Sequence, residues 1–332
     1  MAKTHSTNPS YDYVGPISEH LTDFLAEKRA VGIKYTSEAV YLRQIDKLTI
    51  SLNTPKDMIP RELIEEWGIK KESEAYKTWQ YRQTVMRQLT KYFINHGLDT
   101  YLTTIEIPDK DHGFVPYIFN DNEIARIFNA VDSLKSHIWS PQRKEVMALL
   151  FRILYSCGLR LGEALSLKIA DVDLDNGVFT VVDGKNHQDR YVPMSPELQK
   201  RCCDFAIQFQ KNRDEDQVFL PAPDGGFYSK GSMQYAWKQI LRLAAIPKTD
   251  DGPRIHDLRH TFAVSCLKNW VKQGKALNVM LPVLSAYLGH KRLSATSRYL
   301  RLTADMFPEV VATVEAQFSG TIPDGGYLNE AE

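Results

Sequence analysis

Apolar residues recur along most of this chain at three- and four-residue steps, and one interval switches to alternation. From Pro16 the positions Ile17, Leu21, Phe24 and Leu25 predict a helix, with Ser18 as a candidate cap. A second helix is expected from about Thr36, turning Val40, Tyr41, Ile45 and Leu48 inward. Pro55 and Pro60 interrupt the pattern, and a short helix follows to about Trp67. A long helix is expected from about Ser73 to His96, stopped by Gly97, with Trp79, Met86, Leu89 and Phe93 buried. Lys77, Arg82, Arg87 and Lys91 occupy its other positions and are candidates to face a polyanion. Residues 15–106 therefore read as a small all-helical domain.

The charged, proline-containing stretch 107–116 reads as a linker. A second domain is expected over 117–318. Asn120 to Glu123 caps its first helix, and another follows Ser140-Pro141 with Val146, Leu149, Leu150, Ile153 and Leu154 inside. Here the period changes. Val178–Val182 and Arg190–Met194 alternate as two strands around the polar turn 183–189, with Lys185 at its tip. Helices resume from about Pro196 to Asn212, where Cys202, Cys203, Phe205 and Phe209 form a stripe, and from Ser232 to Ala245. Further helices are expected through Val271, over Leu281–Leu288, and along the stripe Leu302, Met306, Val310, Val314 and Phe318. Residues 319–332 form an acidic tail. The expected fold class is mainly α, with a small antiparallel β-sheet in the second domain.

Composition adds bounds. With 332 residues, 43% of them hydrophobic and 25% charged, the chain fits a soluble two-domain protein. Four cysteines without a Cys-x-x-Cys pair read as reduced thiols. No apolar run reaches membrane-spanning length and the first residues are polar, so a cytoplasmic protein is expected. Net charge is zero, but its distribution is uneven. Between Gly226 and Arg301, thirteen Lys and Arg face three Asp, and after Arg301 there are six acids and no base. Such asymmetry points to a polyanionic partner.

The basic block contains Arg254-Ile-His-Asp-Leu-Arg-His-Thr-Phe-Ala263. On a helix, His256 and Arg259 share one face, which suits an oxygen-rich anion such as a phosphate. Upstream, Arg160 begins a helix, an unfavourable place for a cation, and Glu163 is spaced to hold it. Downstream come Leu-Gly-His290 and then Tyr299 between Arg298 and Arg301. His256 and His260 also match a metal-ligand spacing. A metallohydrolase is the weaker reading, because Arg259 would set a fixed charge beside the ion.

Taken in order, Arg160 with Glu163, Lys185 on a hairpin, His256-x-x-Arg259, Leu-Gly-His290 and Tyr299 resemble the tyrosine recombinase (phage integrase) family from about Asn120 to Arg301. The resemblance implies that fold, with an N-terminal core-binding domain and a catalytic domain clamping double-stranded DNA. It places Arg160, Lys185, His256, Arg259 and His290 around the scissile phosphate and makes Tyr299 the nucleophile, forming a 3′-phosphotyrosyl intermediate. It implies no cofactor and no metal, and a homotetramer on two DNA sites, alone or with sister recombinases. Integration, excision or transposition of a mobile element is the expected role. Two arginines and His290 would donate to phosphate oxygens. His256 is a candidate base for a phenol of ordinary pKa near 10, and Lys185 fits the general acid. Glu163 and His260 are expected as supports, and Arg298 as a DNA contact. The length of 268–279 and the wording Leu-Pro-Val-Leu-Ser-Ala-Tyr-Leu-Gly-His resemble transposon-borne members. Gln188 departs from the pattern, standing where a second basic residue is common. The alternative is an accessory protein of the same fold that binds DNA without the chemistry.

Overall fold

The computed structural model describes residues 12–101, 115–182, 189–249, 252–290 and 292–306. The linker expected at 107–116, the hairpin tip with Lys185 and Gln188, and the tail with Val310, Val314 and Phe318 lie wholly or largely outside them. The chain divides into two compact units, Met1–His112 and Gly113–Glu332.

The first unit contains α1 (Ser18–Ala30), α2 (Thr36–Ser51), α3 (Arg61–Gly68) and α4 (Tyr76–Asn95). Two short strands, β1 (Met58–Ile59) and β2 (Asp99–Thr100), pair in parallel beside them, a feature too short to leave a period in the sequence. The stripe Ile17, Leu21, Phe24 and Leu25 is buried as expected. On α2 the inward face is rotated from the expected one. Ala39, Leu42, Ile45, Asp46 and Thr49 are buried, and Val40 is exposed. On the same face the Asp46 carboxylate accepts the backbone N–H groups of Val14 (3.0 Å) and Gly15 (2.9 Å), anchoring the entry to α1. Gly15 is required there, since a Cβ would lie 2.5 Å from Thr49 Oγ1.

On α4, Met86, Leu89 and Phe93 are buried as the spacing predicts, while Trp79 is half-buried and donates to the Gly68 carbonyl at 2.7 Å. Lys77 and Lys91 are exposed and Arg87 is half-buried. Arg82 corrects its expected DNA-facing place. Only 3% exposed, it donates to both Glu74 carboxylate oxygens (2.8 and 3.0 Å) and to the carbonyls of Trp67 and Ile69. It also lies 4.8 Å over the Trp67 ring. Its planar fork of donors ties α3 and the following turn to α4.

The second unit is built around α6 (Arg143–Cys157), whose Val146, Leu150, Phe151 and Ile153 are fully buried. Around it pack α5 (Asp121–Asp132), α7 (Leu161–Ser166), α8 (Pro196–Phe209) and α10 (Asp257–Lys272). The capping box expected at α5 is formed: Asn120 Oδ1 accepts the Glu123 N–H (2.9 Å) and Glu123 Oε2 accepts the Asn120 N–H (3.0 Å). The sheet has three antiparallel strands where two were expected: β3 (Val172–Asp173), β4 (Val178–Val181) and β5 (Arg190–Pro193). Phe179 pairs with Val192, and both point into the core beside Val181. On α8, Cys202 and Phe205 are buried and Cys203 and Phe209 lie at its margin. Ser229, earlier than the Ser232 expected, caps α9 (Lys230–Leu243) by accepting the Ser232 N–H at 3.0 Å. Finally α10 packs against α11 (Leu277–Leu288) and α12 (Leu293–Met306) in a smaller cluster that includes Leu267, Leu284, Leu288 and Tyr299. No described helix is long and apolar enough to cross a membrane.

Replacing Arg82 by Ala takes away the donor of Glu74 and of the Ile69 carbonyl in a buried place, while the Trp67 carbonyl keeps Gln83 Nε2 at 3.0 Å. It should cost about 3 kcal/mol in urea unfolding of the whole protein. Lys77→Ala should stay within about 0.5 kcal/mol. Equal, small effects would return Arg82 to the surface.

Candidate active site

Two glycine-ended helices and two helix starts bring most of the predicted residues together. α6 ends at Gly158 with φ +58°, a left-handed turn in which a Cβ would strike the Phe262 ring at 2.5 Å. Arg160 then caps α7. Its backbone N–H and its guanidinium both donate to Glu163, at 2.9 and 2.7 Å. α11 ends at Gly289 with φ +66°, and α10 begins at His256.

The end of α11 is where three arginines meet. The last carbonyls of a helix have no partner inside it and carry the negative end of its dipole. Here Tyr287 O accepts Arg190 Nε (2.8 Å), Leu288 O accepts an Arg259 terminal nitrogen (2.5 Å) and Gly289 O accepts Arg160 (3.2 Å). Glu163 closes the arrangement, accepting Arg160 on one side and Arg190 on the other (2.8 and 3.2 Å). Burial alone would raise the Glu163 carboxyl. The bonds from Arg190 and from Arg160 outweigh that and hold it at about 2.

Arg259 is 2% exposed, and its other terminal nitrogen donates to Gly158 O at 2.7 Å. Burial and then the nearby Arg160 lower its pKa to about 10, which leaves it cationic at neutral pH. The fork expected to grip a phosphate is thus turned largely onto protein acceptors, and one of these is His290 Nε2 at 3.1 Å. An arginine can only donate, so His290 Nε2 carries the lone pair and its Nδ1–H donates to Thr296 Oγ1 (2.8 Å). His290 was expected as a further donor and is here an acceptor. Burial and then Arg259 hold its pKa down at about 4, consistent with a neutral ring.

Tyr299, on α12, reaches the same place. It is 3% exposed, and its ring lies nearly parallel to that of His290, 6.2 Å between centroids. Burial raises its pKa, while Arg259, Arg298 and Arg160 pull the other way. Its hydroxyl is 2.9 Å from His260 Nδ1. His260, expected only as a support, therefore stands on the phenol oxygen. His256 is exposed and meets the His260 ring edge-on at 4.8 Å. Among the described residues no three His, Cys, Asp or Glu side chains converge on a common metal position.

Two features escaped the sequence reading. Arg190 was seen only as a strand residue; the hint was a cation opening a strand whose alternate positions face the core. Beside His256 lies a cavity of about 510 Å³ lined by Lys230, Lys238, Lys248 and Arg254, with Trp237 and Leu165 in its wall. Every charged residue lining it is basic. The uneven charge pointed to the region, and only the fold brings α9 up to the start of α10. Arg298 is exposed on α12.

Residues 118–306 match the model of the phage integrase family. A Sinorhizobium fredii protein named as an integrase/recombinase is 36% identical over 199 residues, 58% of this chain and 61% of that one. Tyrosine recombinase XerA of Thermococcus kodakarensis is 27% identical over 221 residues, 67% of this chain and 70% of that one. The fold is that of the XerH site-specific recombinase in its pre-cleavage complex with difH substrate, with a TM-score of 0.62, 18% identity, and 85% of this chain and 81% of that chain covered. The chain belongs to the phage integrase family, the tyrosine recombinases.

The depressed Glu163 pKa has a definite pH signature. Its folded value, about 2, lies below the ordinary 4.5, so the stabilisation is complete above about 4.5 and is lost as pH falls through about 2. Glu163→Gln should destabilise the protein by about 3 kcal/mol at pH 7 in urea melts, with the gap from wild type narrowing below about pH 4.5. A gap that does not change with pH would separate Glu163 from the arginines.

Proposed function

We propose that this chain is a site-specific DNA recombinase that cuts and rejoins double-stranded DNA through Tyr299, in the integration, excision or transposition of a mobile element. The observation that carries the reading is the tyrosine hydroxyl held among Arg259, His260 and His290. In the reaction, the Tyr299 oxygen attacks the scissile phosphorus as the bond to the 5′ oxygen breaks. A 3′-phosphotyrosyl link and a free 5′ hydroxyl result. The 5′ hydroxyl of another strand then reverses the step, so bond energy is conserved and no nucleotide is consumed. Charge gathering on the non-bridging oxygens is met by Arg160, the more accessible of the two arginines, and by Arg259 through donors shared with Leu288 O and His290. Lys185 is assigned as the acid for the departing oxygen, on the strength of the resemblance. The lysine-lined cavity beside His256 takes neighbouring backbone phosphates, with Lys77, Arg87, Lys91 and Arg298 as further DNA contacts. Strand exchange between two sites requires four protomers, alone or with sister recombinases.

The test uses nicked duplexes tiling the DNA that flanks the gene, with the nick set to release a short 5′-hydroxyl fragment. Wild type should give a covalent protein–DNA adduct, undiminished by EDTA, and Tyr299→Phe should give none. No wild-type adduct, or an adduct from the Phe variant, would overturn the reading. Separately, Lys238→Ala and Lys248→Ala should each reduce the slope of log affinity against log salt by about 0.9 on random-sequence duplex. Unchanged slopes would remove the cavity from the DNA path.

A further inference from the structure

The proposal for Tyr299 leaves its proton unassigned, and the structure offers an acceptor other than the one the sequence favoured. Tyr299 Oη and His260 Nδ1 are 2.9 Å apart, a hydrogen-bond distance, within a half-buried contact between α10 and α12. His260 follows directly after Arg259 on α10, so the residue at hydrogen-bond distance from the phenol oxygen is tied to the residue that anchors the site. His256, one turn earlier, is exposed and packs edge-on against His260. We propose that His260 is the proton acceptor for Tyr299, and that His256 supports it and does not replace it.

The step balances. As the Tyr299 oxygen bonds to phosphorus, its proton passes to His260 Nδ1, giving an imidazolium. The bond from phosphorus to the 5′ oxygen breaks, and that oxygen takes a proton from the general acid. In the rejoining step both protons return. The groups facing His260 are His256 and Arg259 on its own helix, Arg298 and Tyr299 on α12, and His290 after α11. Burial first, and then His256 and these cations, hold the free ring's pKa at about 3, so it is an unprotonated acceptor across the neutral range. A phosphodiester arriving among these cations adds the negative charge that favours an imidazolium. The proton is thereby drawn from tyrosine only when substrate is seated.

This inference rests on Tyr299 being the nucleophile, and the test separates the two. The substrate is the duplex that gives an adduct with wild type, remade with sulfur in place of the scissile 5′ oxygen. A thiolate leaves without protonation, so the acid step is bypassed and only activation of the nucleophile is read. His260→Asn keeps a hydrogen-bond acceptor and cannot take up a proton. Its single-turnover rate should fall about 100-fold on both substrates, at unchanged DNA affinity. Its rate should keep rising with pH where wild type levels off. Lys185→Ala, in contrast, should recover on the sulfur substrate. If His260→Asn folds poorly, His256→Asn in the otherwise wild-type chain serves, because His256 is exposed. With His260 as the acceptor its rate profile should still level off with pH as wild type does. A His260→Asn rate within about threefold of wild type, with the same pH profile, overturns the inference and leaves Tyr299 as nucleophile intact. A His256→Asn rate that keeps rising with pH where wild type levels off overturns it equally.

Discussion

The site depends on the unpaired end of one short helix. Residues 287, 288 and 289 present three successive carbonyls at the close of α11, and each accepts a different arginine: Arg190 from β5, Arg259 from α10 and Arg160 from the start of α7. Three elements distant in sequence are thereby referred to one backbone segment. The Gly289 turn makes this possible, because its left-handed conformation ends the helix with the carbonyls open and leaves no Cβ against Arg190, which would meet it at 3.1 Å.

Bringing three guanidinium groups to one place costs electrostatic energy that must be offset locally. Glu163 offsets it by lying between Arg160 and Arg190, and the helix dipole of α11 contributes at the same point. Burial first, and the remaining positive potential second, set the character of the neighbours. His260 and His290 are held neutral, and the buried phenol of Tyr299 is raised by burial while arginines pull it down. A surface of this kind is arranged for an anion before one arrives, which is the economical way to stabilise charge that appears only in a transition state.

Much of this was legible in the sequence, for identifiable reasons. Helices announced themselves by period, and Gly158 and Gly289 by standing where apolar stripes stop. The order of Arg160, the pair His256 and Arg259, His290 and Tyr299 was readable because these lie in four separate short motifs. Three things were not. Arg82 looked like a solvent-facing helix cation, and only the fold shows Glu74 and the Trp67 carbonyl waiting for it. The burial of Asp46 on α2 was not legible, since a buried carboxylate satisfied by backbone N–H groups leaves no hydrophobic signal. The choice between His256 and His260 depended on how α12 docks against α10, a tertiary relation that spacing within one helix cannot contain.

The central claim is that one tyrosine, aimed by this arginine-bound helix end, becomes joined to DNA. The most direct measurement is mass spectrometry of the trapped protein–DNA complex after nuclease and protease digestion. The account predicts one modified peptide, with a nucleotide attached through its 3′ phosphate to the Tyr299 oxygen. Attachment to any other residue, or through a 5′ phosphate, would contradict it.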